Sequence, residues 1–224
     1  MISLVEFKSL SRSGRQSYLQ ENHKANGIGG PRKMIEGFGV NDSEYYCQPS
    51  IDGVVVMCPA YKDWHNMIKR CYSSSHHAKR PSYIGTSVCN DWSSFVKFLE
   101  WWKLNQVDGF VIDKDILSDS GVYSPETCLF VPVWLNSFIL DSAATRGPYQ
   151  IGASFHKQSG RFKAQCRNPH TLVNEYIGLF KTPSEAHEAW KSRKISYAEE
   201  RKNEMDLLDS RVFDRVVGII KNLK

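Results

Sequence analysis

Asp113, Lys114 and Asp115 stand in a row at the end of an apolar run, and Asn136 follows in a segment with helical spacing. A carboxylate and an amide oxygen can together hold one Mg²⁺, which keeps most of its waters. Hydrolysis of a phosphodiester needs such a metal to stabilise the leaving oxygen and a base to activate water. Asp113 and Asn136 are the candidate metal ligands, Asp115 completes or orients the group, and Lys114 is placed to contact a phosphate. The plainer reading of Asp113, Lys114 and Asp115 is an ion-pair cluster at the edge of a turn. A second set lies downstream. Arg161, Lys163, Gln165 and Arg167 alternate with Phe162, Ala164 and Cys166. Strict alternation along a strand puts the first four on one face and the apolar three on the other. With Lys157 and Tyr176 they form a face that can neutralise phosphates and offer paired hydrogen bonds to base edges.

The elements that must position these groups are legible in outline. Residues 44–58 read as two short strands joined by a turn at Asp52-Gly53. Tyr61, Trp64, Ile68 and Cys71 recur at helical spacing, as do Trp92, Phe95, Val96, Leu99 and Trp102 after a capping Asn90 or Asp91. Strands at 109–113 and 127–131 flank a turn through Ser118 to Gly121, and a short helix with Trp134, Leu135, Phe138 and Ile139 follows Pro132. After a linker at 142–148 the pattern is strand, turn, strand, loop, strand, helix. The last helix is announced by Thr182-Pro183-Ser184-Glu185, a capping box with Pro at the first helical position. Its inward face is Ala186, Ala189, Trp190, Arg193 and Tyr197. A final helix carries Val212, Val216, Ile219 and Ile220 inward. Residues 1–40 are polar and read as a loosely packed arm or short helix followed by the loop Gly27-Ile28-Gly29-Gly30-Pro31.

Composition narrows the class. The chain has 224 residues, 41% hydrophobic and 12% aromatic, enough for one or two ordinary cores. No apolar stretch approaches the roughly 20 residues that span a bilayer. Six cysteines show no Cys-x-x-Cys pair, which argues against a zinc ribbon and fits reduced thiols in a cytoplasm. The formal net charge is +5, yet residues 146–202 carry eleven Lys and Arg against five Glu, so the rest is close to neutral. Positive charge gathered in one quarter of the chain suits a phosphate-contacting surface.

Two resemblances join these readings. The run Gly152-Ala153-Ser154-Phe155-His156, then Gly160-Arg161-Phe162-Lys163-Ala164, Tyr176-Ile177-Gly178-Leu179-Phe180 and Thr182-Pro183-Ser184-Glu185-Ala186 resembles the ethylene-response-factor (APETALA-type) DNA-binding domain. That likeness implies DNA-facing roles for Arg161, Gln165, Arg167 and Tyr176, with Lys157 near the hairpin. The segment with Trp64-His65-Asn66-Met67, Val88-Cys89-Asn90-Asp91-Trp92, Ile112-Asp113-Lys114-Asp115-Ile116 and Tyr123-Ser124-Pro125-Glu126-Thr127-Cys128, then Asn136, resembles phage HNH endonucleases, free-standing homing enzymes included. It implies that Asp113 is a metal ligand and Asn136 the terminal motif residue. Lys114 stands where that family's general-base histidine falls, and Thr127 where its middle asparagine falls. Either another group activates water, with His65, His76 and His77 as candidates, or the site is inactive.

The expectation is an α+β protein: an N-terminal arm with short strands (1–58), an HNH-like ββα-metal domain (59–141), a three-stranded antiparallel sheet packed on one helix (146–202), and a C-terminal helix (203–224). The expected activity is Mg²⁺-dependent endonucleolytic cleavage of double-stranded DNA, in the host cytoplasm if phage-encoded and with no membrane partner. The rivals are a non-catalytic DNA-binding regulator derived from such an enzyme and a module whose sheet grips an acidic protein.

Overall fold

The structure is a computed structural model and describes residues 2–25, 34–141 and 147–224. The Gly27–Pro31 loop and most of the 142–148 linker, with Arg146, lie outside the described residues. The chain is mixed α+β and divides into two compact units, residues 1–130 and 131–224.

The first unit begins with two helices where the sequence leaves a loose arm and a short helix both open. α1 (Leu4–Ser9) opens on a capping box in which Ser3 and Glu6 bond each other's backbone amides, and α2 (Arg12–Asn22) is capped by Ser11. They are held because Phe7 and Leu19 are buried in the core. Two short strands follow, β1 (Ser50–Ile51) and β2 (Val54–Val55), paired antiparallel. Asp52 and Gly53 both take positive φ, 49° and 77°. That is the backbone a two-residue hairpin turn requires. α3 (Pro59–Tyr72) buries Tyr61, Trp64, Met67, Ile68 and Cys71 on one stripe. α4 (Ser74–Lys79) and a 3₁₀ turn lead to β3 (Ser87–Val88).

α5 (Phe95–Asn105) is capped by Ser94 and not by Asn90 or Asp91, which lie in a separate 3₁₀ turn. The inward stripe of α5 includes Phe98, while Val96 is only half-buried. Trp64, Trp92, Trp102, Phe95 and Phe98 are the large fully buried side chains at its centre. β4 (Phe110–Asp113) pairs with β6 (Leu129–Pro132), and β5 (Val122–Tyr123) pairs in parallel with β3.

The second unit starts at the end of β6. α6 (Val133–Phe138) clusters here: the Arg201 guanidinium lies 3.6 Å from the Trp134 ring centroid and the Lys194 ammonium 4.0 Å from that of Phe138. β7 (Ala153–His156), β8 (Arg161–Arg167) and β9 (Asn174–Phe180) form an antiparallel sheet in that order. One face packs on α7 (Pro183–Glu200), whose Thr182–Glu185 capping box forms as the sequence indicates. α8 (Lys202–Asp206) and α9 (Val212–Asn222) follow, and α9 buries Val212, Val216 and Ile220. Gly152 is required where it stands. Its φ is +83°, and a Cβ there would fall inside the Trp190 side chain.

Candidate nucleic-acid interface and acidic turn

The strand β8 sorts its side chains by face. Ala164 and Cys166 are buried beneath α7, while Arg161 and Arg167 are exposed and Lys163 and Gln165 are half-buried on the opposite side. The register sets their neighbours. Arg161 lies across from His156, Lys163 between Ser154 and Leu179, Gln165 beside Tyr176, and Arg167 beside Asn174. Tyr176 is 60% exposed. Lys157 is exposed at the hairpin between β7 and β8.

A register shift between Ala164 and Gln165 decides the charge of this face. Lys163 and Ala164 pair with Leu179 and Gly178, but Gln165 pairs with Tyr176, which leaves Ile177 as the extra residue of a β-bulge. Without the bulge, alternation from Leu179 would put Ile177 and Glu175 on the outer face, with Glu175 opposite Arg167. With it, Tyr176 and Asn174 face outward and Glu175 turns toward α7. There the Glu175 carboxylate accepts hydrogen bonds from Tyr197, Asn168 and Arg193, the last at 3.2 Å. The Asn168 bond first, then that of Tyr197, holds its pKa down to about 2. Glu175 is the only acid in the three strands. The outer face is therefore free of carboxylates, and among the described residues none pairs with Lys157, Arg161, Lys163 or Arg167.

The acidic turn is built differently. Asp113 ends β4 and is 4% exposed. Its Oδ1 accepts the backbone N–H groups of Asp115 and Ile116, both at 2.8 Å, so one carboxylate oxygen closes the turn. Burial, then the neighbouring Asp115 charge, raises its pKa against those two hydrogen bonds. Oδ2 accepts no hydrogen bond among the described residues. Lys114 is buried at 6% exposure, ion-paired with the exposed Asp115, and its ammonium lies 5.5 Å from the Tyr123 ring centroid. Thr127 donates to the Val122 carbonyl at 2.6 Å and accepts from the Ser124 amide at 3.0 Å, so it braces the β5 turn.

Asn136 lies half-buried on α6, in the second unit. His65 stacks on Tyr61, His76 meets Tyr83 edge-on, and His77 bonds the Arg70 carbonyl at 2.9 Å. No hydrogen bond joins any of the three to Asp113 among the described residues. Nor do three His, Cys, Asp or Glu side chains converge on one point there.

Several polar groups escaped the sequence reading. His187 is buried on α7 and bonds the Ile151 carbonyl at 2.8 Å, which ties the helix to the start of β7. Lys194 is buried between Phe138 and Trp190, and burial pushes its pKa down to about 8. Arg193 is half-buried beside Tyr197 and joins α7 to β9 through its ion pair with Glu175, pairing with Glu200 as well. The spacing of His187, Trp190, Lys194 and Tyr197 is helical, so His187 and Lys194 extend the same inward face that Trp190 and Tyr197 mark. No family model, no curated protein and no solved structure matches this chain.

Proposed function

We propose that the chain binds double-stranded DNA through the outer face of β7, β8 and β9. The observation that carries this reading is the bulge at Ile177. It turns Glu175 to the helix side and leaves Arg161, Lys163 and Arg167 with no neighbouring carboxylate on that face. Like charges on adjacent positions of one strand face repel, and a polyanion relieves that repulsion. A β-ribbon fits the major groove, where Arg and Gln can make paired hydrogen bonds to bases. Gln165 beside Tyr176 supplies a polar contact and a ring at the centre of the face.

The test is fluorescence anisotropy with a labelled duplex. Arg161→Glu, Lys163→Glu and Arg167→Glu together should abolish binding. The same charge change at exposed Lys8, Lys103 and Lys221 should leave most of it. Equal losses in the two triple variants would remove the face from consideration. Failure of excess unlabelled duplex to displace a bound acidic polypeptide would point to a protein partner instead.

A second reading, HNH-type cleavage of that DNA, draws on the unpartnered Oδ2 of Asp113. Mg²⁺ is commonly bound by one or two carboxylates plus water and substrate phosphate, so a single available carboxylate oxygen is compatible with it. Asp113 would hold the ion, which would supply charge stabilisation at the leaving oxygen. Lys114 is engaged with Asp115 and would act as a cation beside the phosphate, not as a base. Nicking of supercoiled plasmid with Mg²⁺, lost in Asp113→Asn with binding intact, is the outcome this reading requires. Binding without nicking across divalent metals favours the non-catalytic regulator.

A further inference from the structure

The hairpin β1–β2 continues its register past the strands. Ser50 pairs with Val55 and Ile51 with Val54, and the Val56 amide donates to the Pro49 carbonyl at 2.9 Å. Two residues further on, the Cys58 amide donates to the Cys47 carbonyl at 2.8 Å. Cys47 and Cys58 are thus directly opposed across an antiparallel pair. Opposed residues at a hydrogen-bonded position have Cα atoms about 5.5 Å apart, inside the span of about 4.4–6.8 Å that a disulfide bridges. Both thiols are free and buried.

From this geometry we propose that Cys47 and Cys58 form an intramolecular cross-strand disulfide when the protein meets hydrogen peroxide. The surroundings accommodate loss of both protons. Cys58 Sγ donates to Gln16 Oε1 at 2.8 Å, but that oxygen also accepts the Ala60 amide at 3.2 Å and keeps a partner. The Tyr45 hydroxyl lies 3.2 Å from Cys58 Sγ and accepts from Gln16 Nε2 at 2.8 Å. Ser43 lies 3.3 Å from Cys47 and donates as well to Asn41 Oδ1.

Cys58 is the attacking sulfur. It sits at the N-terminal cap of α3, where the helix dipole favours a thiolate. Burial would raise its thiol, but the adjoining Cys47 and Tyr45 side chains hold it below the usual range, while the neighbouring Cys58 and burial push Cys47 up. The Cys58 thiolate attacks one peroxide oxygen, an S–O bond forms, the O–O bond breaks, and hydroxide leaves to become water. The Cys47 sulfur then attacks the Cys58 sulfur. The S–S bond forms, the S–O bond breaks, and the second oxygen leaves as water with the Cys47 proton. Two thiols lose two electrons in total and peroxide gains them. Peroxide reaches the pair when the short hairpin opens.

The experiment treats the full chain with peroxide and reads intact mass and peptide maps. A loss of about 2 Da, reversed by a thiol reductant, with a Cys47–Cys58 linked peptide, is the expected result. Cys47→Ser should block the loss and leave Cys58 oxidised singly. A linkage through Cys71, Cys89, Cys128 or Cys166 would overturn the proposal. So would a gain of about 16 or 32 Da on wild-type Cys58 without a bridge, or an unchanged mass after unfolding-free exposure to excess peroxide.

Discussion

Removing two of the four unpaired cations should change how DNA affinity responds to salt by an amount fixed in advance. On a duplex of arbitrary sequence, Lys157, Arg161, Lys163 and Arg167 have phosphates to neutralise and no preferred bases to read. Each phosphate neutralised contributes about −0.9 to the slope of log K against log salt, so four give about −3.6. Raising salt from about 50 to about 200 mM then weakens binding roughly 150-fold. In the Arg161→Gln, Arg167→Gln variant the slope should fall to about −1.8 and the same salt step should cost only about 12-fold. Both arginines are exposed and without ion pairs, so the substitutions leave the fold's own contacts alone. Anisotropy titrations at five or more salt concentrations measure both slopes. A wild-type slope shallower than about −1, or a double variant with an unchanged slope, would refute the assignment of these groups to phosphates.

Three further expectations concern the scaffold and the acidic turn. Lys194→Met should stabilise the protein by at least about 1 kcal/mol at neutral pH: the drop of the amine from its ordinary 10.5 to about 8 corresponds to about 3 kcal/mol, which the Phe138 and Trp190 rings offset by up to about 2. The sign follows from proton counts. Between pH 8 and 10.5 the unfolded chain holds more protons at this site, so wild-type stability should rise with pH there and the Met variant's curve should be flatter; parallel urea-midpoint curves would contradict this. Gly152→Ala should cost about 3 kcal/mol in denaturant unfolding, because the left-handed backbone and the Trp190 ring both exclude a Cβ, and a loss below about 1 would contradict the close approach. Asp113→Asn keeps an amide oxygen for the Asp115 and Ile116 amides, so its unfolding midpoint should stay near wild type, whereas Asp113→Ala should lose about 1–3 kcal/mol; equal loss in both would mean the charge, not the acceptor, holds the turn.

The parts legible in the sequence are those where one residue pattern dictates one geometry. The Thr182–Glu185 box, the alternation from Arg161 to Arg167 and the stripe of α3 all appear where the spacing puts them. The N-terminal segment left an arm and a short helix both open, because Phe7 and Leu19 are too far apart to register as a periodic stripe. The Ser3…Glu6 box was the available signal, of the same kind as the one that located α7. The cap of α5 was misplaced because Asn90, Asp91, Ser93 and Ser94 all qualify by type, and only tertiary packing selects Ser94. For Asp113, the residue type suggests chemistry while the structure spends one oxygen on the turn. Short polar side chains serve both purposes with the same spacing.

Two features of the sheets show opposite limits of inference. Gly178 is a general bulge signal that does not fix the register, yet the bulge at Ile177 decides whether the cationic face contains an acid, since a one-residue slip moves every following side chain across the sheet. In the first hairpin the reverse holds. Once Asp52 and Gly53 form a two-residue turn, every pair equidistant from it is opposed, so Cys47 must meet Cys58 wherever the pairing extends that far. Turn chemistry propagates along a regular ladder, whereas a ladder's irregularity has to be seen. The charge pattern of the outer face of β7, β8 and β9 is of the second kind, and the opposed cysteines are of the first.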